Sequence, residues 1–161
     1  MNIAGSYVDE DTPIYLIIDE SRVDEAVRAL VRIGLDDVRG YATPATIAEL
    51  ARRGVGLTRT ESIDMAELER RRQRGGVRVL DVRGKAEFDS RHVPGALNIA
   101  HTRLLARLVD VPKDQPLLVY CNSGGRSAHA VALLERHGYR VVNVADLAAN
   151  YREARPAASV A

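Results

Sequence analysis

The chain holds little sulfur and few rings. Of its 161 residues one is cysteine, none is tryptophan and one is phenylalanine. A single thiol closes no internal disulfide and builds no thiolate-rich zinc site. Scarce aromatics leave no stacking platform for single-stranded nucleic acid. An excess of one charge is missing too, because 23 Lys and Arg stand against 22 Asp and Glu. No broad field gathers nucleic acid or an anionic membrane, and neither is expected as a partner. No apolar run nears the roughly 20 residues that span a bilayer. The longest, "PIYLII" and "PLLVY", are strand-sized. The first residues, "MNIAGSYVDEDTP", are acidic and lack an apolar signal core, so a reducing, cytoplasmic setting is expected.

Core material is plentiful. Apolar residues make up 46% and charged residues 28%, enough for one ordinary domain and part of a second. "PIYLII" reads as a buried strand. Val23, Ala26, Val27, Leu30 and Val31 then recur at helical spacing, and Gly34 stops the helix. "DDVRGY" is a second strand, and "PATIAELARR" a helix with Pro44 in its first turn. A polar joint spans 54–60. "SIDMAELERRRQRGG" is a helix capped by Ser62 or Asp64. "VRVLDV", "ALNI", "QPLLVY" and "YRVVNV" read as strands. Between and after them, "GKAEFDSRH" is a short helix or turn, and "TRLLARLVD", "SAHAVALLERHG" and "DLAANYREA" read as helices. Alternation of this kind predicts an α/β fold, a mainly parallel sheet with helices on both faces.

One pattern occurs twice. Aligning residues 11–41 with 114–144 matches Asp11 with Asp114 and Pro13 with Pro116. After a one-residue gap it matches Val27 with Val131, Leu30 with Leu134, Gly34 with Gly138 and Val38 with Val142. The place of Cys121 falls near Ile18 in the first copy, which has no thiol and no paired glycines.

The second copy contains "YCNSGGRS" (120–127). Cys121 lies at the C-terminal end of a strand, the edge where open α/β sheets bind ligands. Gly124 and Gly125 can take positive φ and turn backbone N–H groups inward as a nest for an anion. The helix opening near Ser127 adds its positive end, and Arg126 a permanent cation. Together these lower a thiol's pKa. A structural reading stands beside this one, in which Cys121 is a small buried residue before a turn. The convergence of features at one place favours the reactive reading.

Here a family resemblance emerges. "VLDVR" (79–83), "RHVPGALNI" (91–99) and "YCNSGGRS" resemble, in order and spacing, three landmarks of the rhodanese domain. The resemblance covers roughly residues 60–155 and implies a five-stranded rhodanese-like sheet at 56–155, followed by a tail at 156–161. It implies a sulfurtransferase with Cys121 as the nucleophile. The loop Asn122, Ser123, Gly124, Gly125 and Ser127 would cradle a persulfide, and Arg126 would hold the loop or an incoming anion. Ser127 is expected to cap the helix. Thiosulfate or a small persulfide would donate sulfur, and a thiol, sulfite or cyanide would accept it. No metal or cofactor is implied. Four residues separate Cys121 from Arg126, where the related dual-specificity phosphatases use five. The shorter loop suits a sulfur atom better than a phosphate. The alternative is a non-catalytic binding, regulatory or redox-sensing module.

Other residues carry weaker readings. Asp81 either orients the loop or serves as a strand-end cap or ion pair. Arg83 and Glu87, four apart, are expected to pair or, less simply, to touch substrate. His92, His129 and His137 read as structural or solvent-facing, and the basic run at 69–76 as a solvated helix face. The sequence departs from the family pattern at Arg91, at Asp146 and Leu147, and at Tyr151, which stands where tryptophan is common. Residues 1–55 resemble the second half of a degenerate rhodanese repeat without its cysteine. Such segments occur in fusions with metallo-β-lactamase-like domains. That resemblance implies such a domain, or a second copy of the chain, as a partner for residues 1–55.

Overall fold

The computed structural model describes residues 4–146 and 148–151. It divides between Arg59 and Thr60 into two compact units. In the first, β1 (Ile14–Ile17) and β2 (Val38–Ala42) pair in parallel. A parallel pair needs a crossover, and α1 (Val23–Val31) supplies it after a 3-10 turn at Glu20–Arg22. Asp24 and Glu25 occupy its first turn, where carboxylates oppose the helix dipole. Gly34, at φ +80°, makes the left-handed turn that ends the helical segment. α2 (Pro44–Arg52) begins on Pro44, with the Thr43 hydroxyl accepting from the Thr46 N–H at 3.2 Å.

The second unit carries the larger sheet. Its elements are β3 (Ser62–Ile63), α3 (Met65–Arg74), β4 (Arg78–Asp81), α4 (Lys85–Ser90), β5 (Leu97–Asn98), β6 (Leu117–Tyr120), α5 (Gly125–Arg136) and β7 (Val141–Val144). The strands lie in the order β3-β7-β6-β4-β5, every neighbour parallel. All four residues of β6 are buried, as a central parallel strand requires. On one face Leu118, Tyr120, Val142 and Val144 pack with Met65 and Leu68 of α3. Leu117 and Val119 point the other way and are equally buried, with α5 packed on β6 and β7. The five-stranded parallel sheet between helices is the architecture expected. Asp64 caps α3, accepting from the Glu67 N–H at 2.7 Å, while Ser62 belongs to β3. Three of the four arginines of α3 are paired, Arg70 and Arg71 on Glu67 and Arg72 on Glu69. No described helix is long and apolar enough to cross a membrane.

Two expected helices differ. The segment after β5 forms 3-10 turns at His101–Arg103 and Leu105–Asp110. Arg107 leaves helical backbone there and places its guanidinium on Asp110 at 2.7 Å, so a short connector forms where the apolar spacing suggested a helix. After β7, Ala148–Asn150 is also a 3-10 turn. The Ala148 N–H donates to the carbonyl of Asn122 at 3.0 Å, which ties this turn to the loop after β6. Leu147 and the part of that expected helix from Arg152 onward lie outside the described residues.

Candidate active site

β6 ends at Tyr120, and the next residue is Cys121. The loop then turns sharply through Gly124, at φ +86° and ψ −19°. A Cβ there would sit 3.0 Å from the Cα of Ala145, so the position needs glycine twice, for its backbone and for its space. Gly125 does not share the positive φ expected of it; it is the first residue of α5. Gly124, not Ser127, is therefore the helix cap, and the Ala128 N–H donates to its carbonyl at 3.0 Å. Ser127 sits one turn inside, fully buried, with its hydroxyl donating to the Gly124 carbonyl at 3.0 Å.

The turn aims donors at the sulfur. Burial pushes the Cys121 thiol up. Hydrogen bonds from the N–H groups of Ser123, Ser127 and Gly124 and from the Ser127 hydroxyl outweigh it, and the thiol lies below its ordinary value. The Ser127 hydroxyl has one proton to share between Gly124 and the sulfur, and a thiolate draws it toward sulfur. The Arg126 guanidinium also interacts with Cys121. It is clamped by Glu87, whose carboxylate accepts from both Arg126 terminal nitrogens at 2.6 and 2.8 Å. Arg126 in turn holds the Glu87 carboxyl below the usual range.

Arg83 does not pair with Glu87. It pairs with Asp81, where Nη2 to Oδ2 is 2.6 Å and the backbone N–H also donates to Oδ1 at 2.9 Å. Asp81 is fully buried and needs a cation at hand, and Arg83, just past the strand end, folds back to supply it. The same guanidinium donates to the Arg91 carbonyl at 2.6 Å and lies 3.5 Å from the Tyr120 hydroxyl. Asp81 and Arg83 thus stand behind Tyr120 and brace the strand that presents Cys121. They are not among the groups that face the sulfur. His92 stacks on Phe88 at 3.8 Å and its Nδ1 lies 2.8 Å from the Phe88 carbonyl, a structural place.

The sequence reading passed over His101. Its N–H donates to the Val82 carbonyl at 2.9 Å, and its buried Nδ1 has no hydrogen-bond partner. Burial, with Arg126 and His129 nearby, holds its pKa below the ordinary value. The only sequence signal is its position just after "NIA". Two of the departures from the family pattern meet: the Arg91 guanidinium donates to the Tyr151 carbonyl at 2.8 Å. The Tyr151 hydroxyl donates to buried Glu69 at 2.9 Å.

A family profile for the rhodanese-like domain matches residues 64–153, more than half of the chain. The chain belongs to the rhodanese-like domain family. A sulfurtransferase from Allochromatium vinosum is 38% identical over 69 residues, covering 42% of this chain and 64% of that protein. An HTH-type transcriptional regulator from Mycobacterium tuberculosis is 34% identical over 105 residues, covering 60% of this chain and 46% of that protein. The chain spans less than two thirds of either relative's length. Among solved structures, a rhodanese-like domain protein from Staphylococcus aureus superposes with a TM-score of 0.54 at 27% identity, covering 58% of this chain and 93% of that one. A rhodanese-related protein from Thermoplasma volcanium gives 0.51 at 29%, covering 56% and 87%. The rhodanese-like match begins at residue 64, beyond the first unit.

Proposed function

We propose that this rhodanese-like chain moves a sulfane sulfur through a persulfide on Cys121. The observation that carries the reading is the left-handed Gly124 turn at the end of β6. It gathers the N–H groups of Ser123, Gly124 and Ser127 and the Ser127 hydroxyl about a buried thiol and holds its pKa below the ordinary value, with the Arg126 guanidinium beside it. The thiolate attacks the outer sulfur of thiosulfate or of a small persulfide. A Cys–S bond forms, the donor's S–S bond breaks, and sulfite or a thiolate leaves with the bonding pair. In the second stage a thiolate, sulfite or cyanide attacks that outer sulfur, and Cys121 departs as thiolate. Each stage conserves charge and needs no oxidant, metal or cofactor. The amides that hold the thiolate are placed to hold the anionic persulfide, and Arg126, fixed by Glu87, offsets the charge of an incoming anion. Cys121 is 1% exposed, so the reading fits donors that present one sulfur at a narrow tip.

The test is intact-mass spectrometry after treatment with thiosulfate and with glutathione persulfide. A gain of one sulfur on Cys121, absent in Cys121→Ala, together with thiocyanate formation from cyanide, is the expected result. A second reading, a regulatory or redox-sensing module, has support in the transcriptional regulator among the relatives. Absence of that sulfur gain with every donor would favour it.

A further inference from the structure

Beside the loop lies a cavity of about 190 Å³ that does not include the Cys121 sulfur among its walls. Asn122, the residue after Cys121, forms one wall, with Tyr120, Arg83, Arg91 and Tyr151 around it. Among the described residues no acidic side chain lines it. Arg83 is already neutralised by Asp81. Arg91 is different. Among the described residues its guanidinium binds one neutral acceptor, the Tyr151 carbonyl, and no carboxylate. A guanidinium offers five donors in a planar fork that matches a carboxylate. Among the described residues the wall therefore holds a cation with no carboxylate on it, in a recess with two buried tyrosines, Tyr120 and Tyr151.

The recess is smaller than the roughly 300–1,000 Å³ that holds a drug-sized ligand. It has room for a carboxylate and a short stem. Tyr120 and Asn122 line the recess, and Cys121 between them does not. A substrate seated here cannot place its carboxylate and its sulfur at the same point. It must bridge from Arg91 past Asn122 to the loop, which suits an organic acid with its sulfur at the far end of a short stem. Resting on the sulfur-transfer reading, we propose that this cavity is a second anion subsite. It seats the carboxylate of an organic thiol or persulfide on Arg91 while the sulfur of that molecule reaches Cys121.

The test compares acceptors that differ only in charge, mercaptopropionate and mercaptopropanol, after loading with thiosulfate. In Arg91→Gln the KM for mercaptopropionate rises about tenfold relative to that for mercaptopropanol, the scale of a lost charge-assisted hydrogen bond. Arg91→Lys recovers part of the preference. Equal changes for both acceptors, or no change, overturn the proposal. Binding is read separately from turnover with the unreactive thioether methylthiopropionate on Cys121→Ser protein. Saturable amide shifts at Asn122 and Arg91 are expected in the NMR spectrum, lost in the Arg91→Gln background and absent with methylthiopropionamide. Equal binding of acid and amide refutes the subsite. A chain that fails to load sulfur yet binds the acid alone would refute the transfer reading and leave the carboxylate site standing.

Discussion

β1–α1–β2 and β6–α5–β7 are the same device made twice: a strand, a crossover helix, a left-handed glycine and a parallel neighbour. Gly34 and Gly138 take φ of +80° and +77° at matched positions. The copies part at two places. Positions 15 and 17 align with 118 and 120, yet Tyr15 and Ile17 are 70% and 65% exposed where Leu118 and Tyr120 are 0% and 1%. And where the second copy turns through Gly124 into a helix with no acid in its first turn, the first copy enters α1 through Glu20–Arg22 with Asp24 and Glu25 at the start. In the first copy carboxylates spend the helix's positive end. In the second it is left open, and a sulfur sits on it. The apolar pattern makes the architecture; the turn and its charges make the chemistry.

Moving the thiol is the hardest test of that contrast. In Cys121→Ala no sulfur loads. Adding Ile18→Cys places a thiol at the equivalent strand end, without Gly124 and against α1's acidic first turn. The double variant is expected to stay unloaded by intact mass after thiosulfate. A persulfide at position 18 would show that the strand end suffices and that the turn contributes little.

Truncation separates the faces next. Leu118→Ala opens the core under α3 and costs about 3 kcal/mol, within the usual range for a buried leucine. Tyr15→Ala at the matched exposed position is expected to cost less than about 0.5 kcal/mol. Urea midpoints read both. A large loss at Tyr15 would mean that its face is covered in solution, and the two copies would then differ less than their exposures say.

Glycine replacement compares the turns. Gly124→Ala meets left-handed strain and the Ala145 backbone at 3.0 Å, together about 2–3 kcal/mol, and sulfur loading falls with it. Gly34→Ala meets only the flexible Glu10 carboxylate at 3.3 Å and costs about 1 kcal/mol of backbone strain. Equal losses would indicate that the Gly124 turn is held no more tightly than an ordinary helix stop.

Much of this was legible because it is local. β6 is an unbroken apolar run, and Cys121, Gly124 and Arg126 fall within six residues. The Arg126–Glu87 clamp joins residues 39 apart in sequence, and only the sheet brings α4 to the loop. The expected Arg83–Glu87 pair failed because i, i+4 pairing assumes a helix through both residues. α4 begins at Lys85, which leaves Arg83 before the helix and free to fold onto Asp81. Ser127 resembled a cap because serine favours that place. The sulfur's amide cradle instead put the left-handed Gly124 there and drew Ser127 inside.

The smallest expected effect sharpens what the cradle does. Ser127→Ala removes one donor from the sulfur and leaves Gly124's carbonyl its bond from the Ala128 N–H, so little stability is lost. The folded thiol lies below its unfolded value, so the thiolate's contribution to stability is present above the unfolded pKa and fades as pH falls through the folded one. Removing the hydroxyl moves the folded value back up. The sulfur-loading rate against pH then shows its midpoint displaced to higher pH, and loading below that midpoint slows about threefold to tenfold, the scale of one hydrogen bond to a charged group. An unmoved midpoint would assign the lowered pKa to the backbone N–H groups and Arg126 alone. The difference between the two copies would then reduce to the left-handed turn and the missing acids.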